Sequence, residues 1–262
     1  MLEQSDLLNY QFHQLKQSPN SPTMVFMHGL FGDMNNLGII ARAFAEDYSI
    51  LRIDLRNHGH SFHADEMNYQ VMAEDVLRLL EHLQLSKVIL VGHSMGGKTA
   101  MKAAALQPDI VERLVVIDIA PVAYQHDWHN DVFQGLFAVK AAQSPTRQAA
   151  RSVLAQYIDD DRVIQFILKS FAPEATEKFR FFSTALFRNY QKIMDWEPVF
   201  FDKKTLFIKG GLSNYILPEY SERILAQFPR ASSFTIAGCR HWVHAEKPDL
   251  VARAIKRFLA LN

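Results

Sequence analysis

The chain has 262 residues, of which 48% are hydrophobic and 21% are charged, a composition typical of a globular protein with a substantial core and not of a disordered one. Its 28 basic and 28 acidic residues cancel, so the net charge gives no reason to expect binding to nucleic acid or to an anionic membrane. The single cysteine, Cys239, cannot form an internal disulfide, and neither a signal-peptide pattern nor a bilayer-spanning apolar stretch is evident, so we expect a soluble cytoplasmic protein.

The first half of the chain alternates β-like runs with helical ones. An edge strand is expected at 8–15, where apolar and polar residues alternate, and a turn is expected at 17–22. The elements that follow are strands at 23–27, 48–53, 86–91 and 111–117, and helices at 39–45, 71–83 and 98–106. This alternation predicts an α/β fold, with a mostly parallel sheet covered by helices on both faces. Ligands of such sheets lie beyond the carboxyl ends of the strands.

The alternation stops after Pro121. No buried strand is evident at 122–201, where helices are expected at 132–142, 147–157, 163–171 and 176–187. Later elements are a strand at 204–209, a helix at 218–228, a strand at 233–236 and a closing helix at 249–261. An all-helical insertion between two strands of one sheet predicts a lid over the strand ends. We therefore expect a core at 1–121 and 202–262, with a helical cap at 122–201.

The cap is rich in phenylalanine. Most of these rings are expected to form the core of the cap itself and its contact with the sheet. A few are candidates for lining an apolar substrate pocket. The candidates are Phe133, Phe137 and Phe182.

The apolar strand at 86–91 runs directly into Gly92-His-Ser-Met-Gly96, and a helix follows. This is the pattern of a nucleophile elbow, a sharp turn that exposes the serine hydroxyl above the sheet. Gly92 and Gly96 have no Cβ, so the backbones on either side of the turn can approach closely. The pattern predicts Ser94 as a nucleophile, with the backbone N–H of Met95 pointing at an oxyanion formed on the attacked carbonyl.

A serine hydroxyl needs a neighbouring base to be an effective nucleophile near neutral pH. Among the eleven histidines we select His241, in the loop after the last predicted strand. His93 precedes Ser94 on the turn, so its ring should point away and take part in packing or a hydrogen bond. His126 and His129, in the cap, are expected to be solvated.

His58, His60 and His63 are spaced closely enough to suggest a metal site. No cysteine or cluster of carboxylates completes a coordination sphere there, so we expect a structural or surface role for them and neither a metal nor another cofactor. Arg56, in the same loop, is expected to hold loop carbonyls or a carboxylate.

Four motifs occur in an order that resembles the α/β-hydrolase superfamily. They are His28-Gly29, Asp54-x-Arg56-x-His58-Gly59-x-Ser61, Gly92-x-Ser94-Met95-Gly96-Gly97, and His241 followed by Glu246-x-Pro248. The resemblance is closest to bacterial esterases of the YbfF type and their mitochondrial relatives. It implies the α/β-hydrolase fold and a Ser-His-acid triad.

In most of that superfamily the acid lies in a Gly-x-x-Asp-x-x-x-Pro pattern after a late strand. This chain has Asn214 in that slot, between Gly211 and Pro218. Asp118 ends the apolar strand at 111–117, and a charged residue closing such a run needs a buried partner. The resembling esterases place their acid there, so we assign Asp118 as the acid. The alternative is that Asp118 only caps the first turn of the lid.

The oxyanion hole is expected to be formed by the backbone N–H groups of Met95 and Leu30. Phe31 is the alternative source of the second donor. Phe31, His28 and Trp242 lie beside the catalytic motifs and are further candidates for contact with substrate.

These residues predict a serine hydrolase, a carboxylesterase or a thioesterase, that cleaves small esters or thioesters through an acyl-enzyme and works as a monomer or homodimer. The same scaffold supports other reactions, so alternatives remain: a carbon–carbon hydrolase or lyase of the menaquinone-pathway type, or a cofactor-free haloperoxidase. Asn214 also motivates a non-enzymatic ligand-binding protein.

Overall fold

A seven-stranded sheet in the order β1-β3-β2-β4-β5-β6-β7 is the centre of the protein in the computed structural model, which describes residues 7–15, 21–125 and 128–260. β1 is antiparallel to β3, and every other neighbouring pair is parallel. The strands are β1 (Tyr10–His13), β2 (Thr23–Met27), β3 (Ser49–Ile53), β4 (Val88–His93), β5 (Val111–Ile117), β6 (Thr205–Gly210) and β7 (Ala231–Ile236). The predicted mostly parallel sheet is therefore confirmed. The predicted turn at 17–22 falls mostly outside the described residues, as does His126.

Eleven α-helices are described. They are α1 (Gly38–Arg42), α2 (Tyr69–His82), α3 (Met95–Leu106), α4 (Asn130–Ala141), α5 (Arg147–Leu154), α6 (Asp161–Leu168), α7 (Ser183–Arg188), α8 (Tyr190–Met194), α9 (Ser221–Gln227), α10 (Val243–Glu246) and α11 (Pro248–Ala260), with a 3-10 turn at Pro218–Tyr220. Across the described ranges, no helix combines the length and the apolar character that crossing a bilayer needs.

The two faces of the sheet bury separate sets of side chains because successive residues of a strand point to opposite faces. Val25 and Leu90 pack on the face covered by α2 and α3. Phe26 and Val91, one residue further along, pack on the face covered by α1 and α11. Burial on both faces explains why the inner strands are continuously apolar.

The segment between β5 and β6 contains α4 to α8 and no strand of the sheet. Its buried side chains, among them Leu136 and Ile167, belong to the same apolar cluster as Val116 of β5. The insertion therefore packs on the sheet. The division into a core and a cap at 122–201 remains a prediction.

One predicted helix in this segment is wrong over most of its length. Residues 176–182 are not helical, and α7 begins only at Ser183. The buried Glu177 carboxylate accepts hydrogen bonds from the Ser183 hydroxyl and from the backbone N–H of Thr184, and it pairs with Lys140. Glu177 therefore lies outside α7 and satisfies its first turn, as an acidic group at a helix N-terminus does.

Candidate active site

Ser94 lies at the sharp turn between β4 and α3, in a backbone conformation that non-glycine residues rarely adopt, with φ 53° and ψ −122°. A Cβ on Gly92 would lie 2.2 Å from the carbonyl oxygen of Gly96, and a Cβ on Gly96 would lie 2.4 Å from that of His28. Only glycine fits at both positions. The close approach of β4, α3 and the loop after β2 therefore holds Ser94 in its strained conformation.

Three side chains that are distant in the chain form one line of hydrogen bonds. The Ser94 hydroxyl donates to Nε2 of His241 across 2.9 Å. Nδ1–H of the same ring donates to Oδ2 of Asp118 across 2.8 Å. Ser94 follows β4, Asp118 follows β5, and His241 follows β7, so the carboxyl ends of parallel strands bring the three together.

The Asp118 carboxylate is completely buried and fully hydrogen-bonded. Oδ1 accepts from the backbone N–H of Gly210 at 2.8 Å, and Oδ2 accepts from the Ser213 hydroxyl at 2.5 Å in addition to His241. Both oxygens therefore have partners at this edge of the sheet, and a role limited to capping the lid is not what the contacts show. Asn214 is exposed and forms no hydrogen bond to any residue in the described parts of the chain.

Tyr215 packs on the imidazole of His241, and His93 holds the backbone of the same residue. The Tyr215 ring stacks on the imidazole with 3.8 Å between the ring centroids. His93 Nε2–H donates to the backbone carbonyl of His241 across 3.0 Å, which agrees with the hydrogen-bonding role predicted for His93. Burial lowers the pKa of His93 well below its ordinary value, and the neighbouring rings of His244 and His241 lower it further. His93 is therefore a neutral support for the catalytic loop.

His244 lies against the other side of His93, with 4.1 Å between ring centroids. Its ring is buried, and Nδ1 has no hydrogen-bond partner among the described residues. Burial lowers the pKa of His244 to about 3, so the ring is neutral at physiological pH.

The loop after β2 presents one free backbone donor and one that is occupied. The backbone N–H of Phe31 donates to Nε2 of His58 across 3.1 Å, which removes Phe31 as a source of an oxyanion donor. Neither the N–H of Leu30 nor that of Met95 donates to another described residue. Both residues line the space beside Ser94, so their N–H groups are available to an oxygen bound there.

His28 supports this loop. Its Nδ1–H donates to the carbonyl of Gly29 at 2.8 Å, and its Nε2 accepts from the N–H of Leu55 at 3.0 Å. The ring is buried and does not line the cavity at Ser94, so its placement gives no support to the expected contact with substrate.

Arg56 binds the Asp75 carboxylate through two nitrogens and the Glu66 carbonyl through a third. Arg56 therefore holds a carboxylate and a loop carbonyl, the contacts expected of it.

A cavity of about 370 Å³ opens above Ser94 and His241. Its apolar lining includes two residues chosen from the sequence, Phe31 and Trp242, and several that were not. The unpredicted apolar residues are Trp128, Val132, Val163, Phe166, Ile167 and Leu212. The polar groups Asp160, Arg162, Arg240 and Glu246 also contribute to the lining.

The three cap phenylalanines selected from the sequence are not among the residues that line this cavity. Phe133 is fully buried and packs edge-on against Phe31, with 5.3 Å between centroids. Phe137 packs against Phe133, and Phe182 stacks on His63. They build the cap and its contacts with the core, as most phenylalanines of this segment were expected to do.

His129 differs from the expectation of a solvated ring. It is half-buried, and Nδ1 lies 2.7 Å from the Tyr190 hydroxyl. Burial lowers its pKa to about 4, so this ring at the cavity wall is uncharged near neutral pH.

Lys98 is a buried group that the sequence analysis did not single out. Its ammonium donates to the carbonyls of Met194 and Asp195 at 3.2 and 3.1 Å, and it lies 4.8 Å from the centre of the Tyr124 ring. Burial lowers the pKa of Lys98 to about 7, an effect that Asp195 opposes. A lysine in the first turns of the helix after the nucleophile is the signal that could have drawn attention to it.

Comparison with known proteins gives a consistent set of relatives. The model of the alpha/beta hydrolase fold family matches residues 22–248. A Haemophilus influenzae protein with the provisional name esterase/lipase is 64% identical over 256 residues, which cover 98% of this chain and 89% of the relative. Esterase YbfF of Escherichia coli is 43% identical over 253 residues, which cover 96% of this chain and 98% of that protein. The solved structure of a marine microorganism esterase is 32% identical and superposes with a TM-score of 0.89 over 96% of this chain and 99% of its own.

Proposed function

This chain belongs to the alpha/beta hydrolase family, and from that premise we propose that it is a serine esterase that hydrolyses carboxylic esters through Ser94, His241 and Asp118. The observation that carries the proposal is the continuous line of hydrogen bonds from the Ser94 hydroxyl through His241 to the buried Asp118 carboxylate. The names of the two relatives, esterase/lipase and esterase, agree with this class of reaction.

In the first half of the reaction, Ser94 Oγ forms a bond to the ester carbonyl carbon while its proton moves to Nε2 of His241. The carbonyl oxygen becomes negatively charged and accepts from the N–H groups of Leu30 and Met95. The bond from carbon to the alkoxy oxygen then breaks, and the proton on Nε2 transfers to that oxygen. The alcohol leaves, and the acyl group remains on Ser94.

In the second half, His241 takes a proton from water, and the resulting hydroxide attacks the acyl carbon. The bond to Ser94 Oγ breaks, and the proton returns from Nε2 to Oγ. The sum of the two halves is ester plus water giving acid plus alcohol, with the enzyme unchanged.

Asp118 acts in both halves by holding the proton of His241 on Nδ1, which leaves Nε2 free to accept from Ser94. Its negative charge also stabilises the imidazolium that forms during each half. The exposed Asn214 was the reason to consider a protein that only binds ligands. A buried carboxylate that reaches His241 from the neighbouring strand removes the need for an acid at position 214.

The experiment is steady-state hydrolysis of p-nitrophenyl acetate by wild type, Ser94→Ala and the matched control Ser152→Ala, which alters an exposed serine of α5. Ser94→Ala should lower kcat by at least about a thousandfold, because it removes the nucleophile itself. Ser152→Ala should keep the wild-type rate. An acetyl thioester assayed with the same variants tests whether the same site cleaves thioesters. Full turnover by Ser94→Ala would refute the proposal.

A further inference from the structure

A second, much smaller cavity meets the active site behind Ser94. Its volume is about 20 Å³, compared with about 370 Å³ for the cavity above the site. Leu30, Ser94, His129 and Tyr215 line both cavities. His241 lines only the large cavity, whereas Met95 lines only the small one.

The reaction itself determines which part of an ester occupies each cavity. The leaving oxygen must reach Nε2 of His241, because that nitrogen supplies its proton. The carbonyl oxygen must reach the N–H groups of Leu30 and Met95. The alcohol part therefore extends into the cavity that contains His241, and the acyl chain extends in the remaining direction, past Met95.

We infer that the small cavity behind Ser94 is the acyl pocket, that it restricts the acyl group to about the size of acetyl, and that the large cavity receives the alcohol part of the ester. This inference rests on the proposed esterase function and assigns its substrate class: short-chain, above all acetyl, esters of larger and predominantly apolar alcohols. A cavity needs roughly 10–15 Å³ to hold one water-sized group, so a volume of about 20 Å³ accommodates a methyl group and little more.

The far wall of the small cavity is fixed by hydrogen bonds to the end of α8. The Tyr69 hydroxyl donates to the carbonyl of Ile193 across 2.6 Å. The Lys98 ammonium donates to the carbonyls of Met194 and Asp195. These carbonyls have no partner within the short helix, so the two side chains replace the missing donors. A longer acyl chain would have to break these buried contacts to move the wall.

The side wall is fixed in the same way. The Tyr124 hydroxyl donates to the carbonyl of Tyr215 at 2.5 Å and accepts from the N–H of Ala120 at 2.9 Å. The backbone N–H of Tyr124 donates to Met194, so this wall is joined to the end of α8. The polar atoms of these two walls are therefore paired, and the walls cannot move apart without loss of hydrogen bonds.

The large cavity differs in both size and lining. Phe166 and Trp242 pack together with 5.1 Å between ring centroids, and with Val163 they form part of a broad apolar wall. Such a wall accepts aromatic or branched alcohols through apolar contact and imposes little selection on their length.

The test measures kcat/KM of the full-length protein for p-nitrophenyl acetate, butyrate and octanoate, in parallel with benzyl acetate and ethyl acetate, whose alcohols are similar leaving groups. Wild type should hydrolyse the butyrate ester about tenfold or more slowly than the acetate ester, because a pocket that lacks space rejects added methylenes by on the order of tenfold or more. The octanoate ester should be slower still. Benzyl acetate should be preferred to ethyl acetate, because its ring contacts the apolar wall of the large cavity.

Met194→Ala enlarges the small cavity and should raise the ratio of butyrate to acetate turnover by about tenfold. Phe166→Ala, the matched change in the large cavity, should leave that ratio as in wild type and lower the preference for benzyl over ethyl acetate. If Met194→Ala does not fold, Ile193→Val tests the same wall with the loss of one methyl group and should shift the ratio in the same direction.

Two kinds of negative result are distinguishable. A wild-type enzyme that prefers octanoate to acetate while Ser94→Ala is inactive would overturn the acyl-pocket assignment and leave the esterase proposal intact. The same holds if Phe166→Ala changes the acyl preference and neither Met194→Ala nor Ile193→Val does. Turnover of every ester that survives Ser94→Ala would instead refute the proposed function.

Discussion

The loops after β5 and β6 lie side by side at the carboxyl edge of the sheet, and each carries a side chain that could face His241. On the first loop, Asp118 is completely buried, and its two oxygens accept three hydrogen bonds. On the second, Asn214 is exposed and forms no hydrogen bond within the described residues. The hydrogen bonds at position 118 stabilise a buried negative charge, and no such bonds form at position 214 within the described residues.

The second loop still contributes to the same site. It supplies the N–H of Gly210 and the hydroxyl of Ser213 to Asp118, and the ring of Tyr215 to His241. In most of the superfamily the acid lies on this loop, whereas here the loop donates hydrogen bonds to a carboxylate that follows the neighbouring strand. Hydrogen-bond donors around a buried carboxylate, and not the loop that carries it, therefore decide which residue can orient His241.

The largest loss of activity is expected from Asp118→Asn. An amide in place of the carboxylate cannot stabilise the imidazolium and favours the wrong tautomer of His241, so kcat for p-nitrophenyl acetate should fall by about ten-thousandfold. Circular dichroism should show that the variant is folded. A variant with more than about a tenth of the wild-type kcat would show that Asp118 is not the acid.

His244 and Asp118 are both buried, but they differ in their hydrogen bonds. One nitrogen of His244 is unpaired among the described residues, whereas both oxygens of Asp118 are paired. The pKa of His244 is lowered from 6.5 to about 3, so its contribution to stability is present above pH 6.5 and is lost as the pH falls towards 3. His244→Phe keeps the ring against His93 and removes this titration. The free energy of unfolding of this variant, measured relative to wild type, should therefore be about 2 kcal/mol higher at pH 5 than at pH 7.5.

Urea unfolding at pH 7.5 and pH 5 measures this effect. His82→Gln, which alters an exposed histidine at the end of α2, serves as the control for the loss of a histidine that is not buried. An equal loss of stability on acidification in His244→Phe and wild type would contradict the account.

The donors of the second loop are tested by Ser213→Ala. Loss of the hydroxyl removes one charge-assisted hydrogen bond from the Asp118 oxygen that faces His241, and we expect kcat to fall by about tenfold with KM unchanged. Ser213→Thr retains a hydroxyl and should recover most of the rate. If Ser213→Ala matches wild type in kcat, Ser213 does not position the acid.

Asn214→Ala should have the smallest effect. Replacing an exposed side chain that forms no hydrogen bonds changes free energies by no more than about 0.5 kcal/mol. We therefore expect kcat to change by no more than about twofold. A loss as large as that of Asp118→Asn would reverse the assignment of the acid. The two variants are best compared in one assay with the same ester.

The sequence carried enough information to place the main chemical groups. Ser94 was identifiable because two glycines and a strand-to-helix transition leave few other interpretations of Gly-x-Ser-x-Gly. Asp118 could be selected as the candidate acid because a charged residue at the end of an apolar strand demands a partner, and because the resembling esterases place their acid there. Apart from that resemblance, both inferences use the chain within a few residues of the group concerned.

The rest depends on contacts between distant parts of the chain. Nothing near Phe31 indicates that His58 occupies its N–H, and nothing near Glu177 indicates that it pairs with Lys140 and accepts hydrogen bonds from the first turn of α7. The cap phenylalanines could be recognised as apolar, but the face that each presents follows from helix packing, which placed Phe166 and not Phe133 in the cavity wall.

Reaction with a fluorophosphonate probe, followed by peptide mass spectrometry, tests directly whether Ser94 is an activated nucleophile. The probe bonds to a serine only when a neighbouring base activates it. We expect a single adduct on Ser94 of the wild-type protein, and we expect labelling to be slower by orders of magnitude in Asp118→Asn. An adduct on another residue, or a folded wild-type protein that is not labelled, would contradict this expectation.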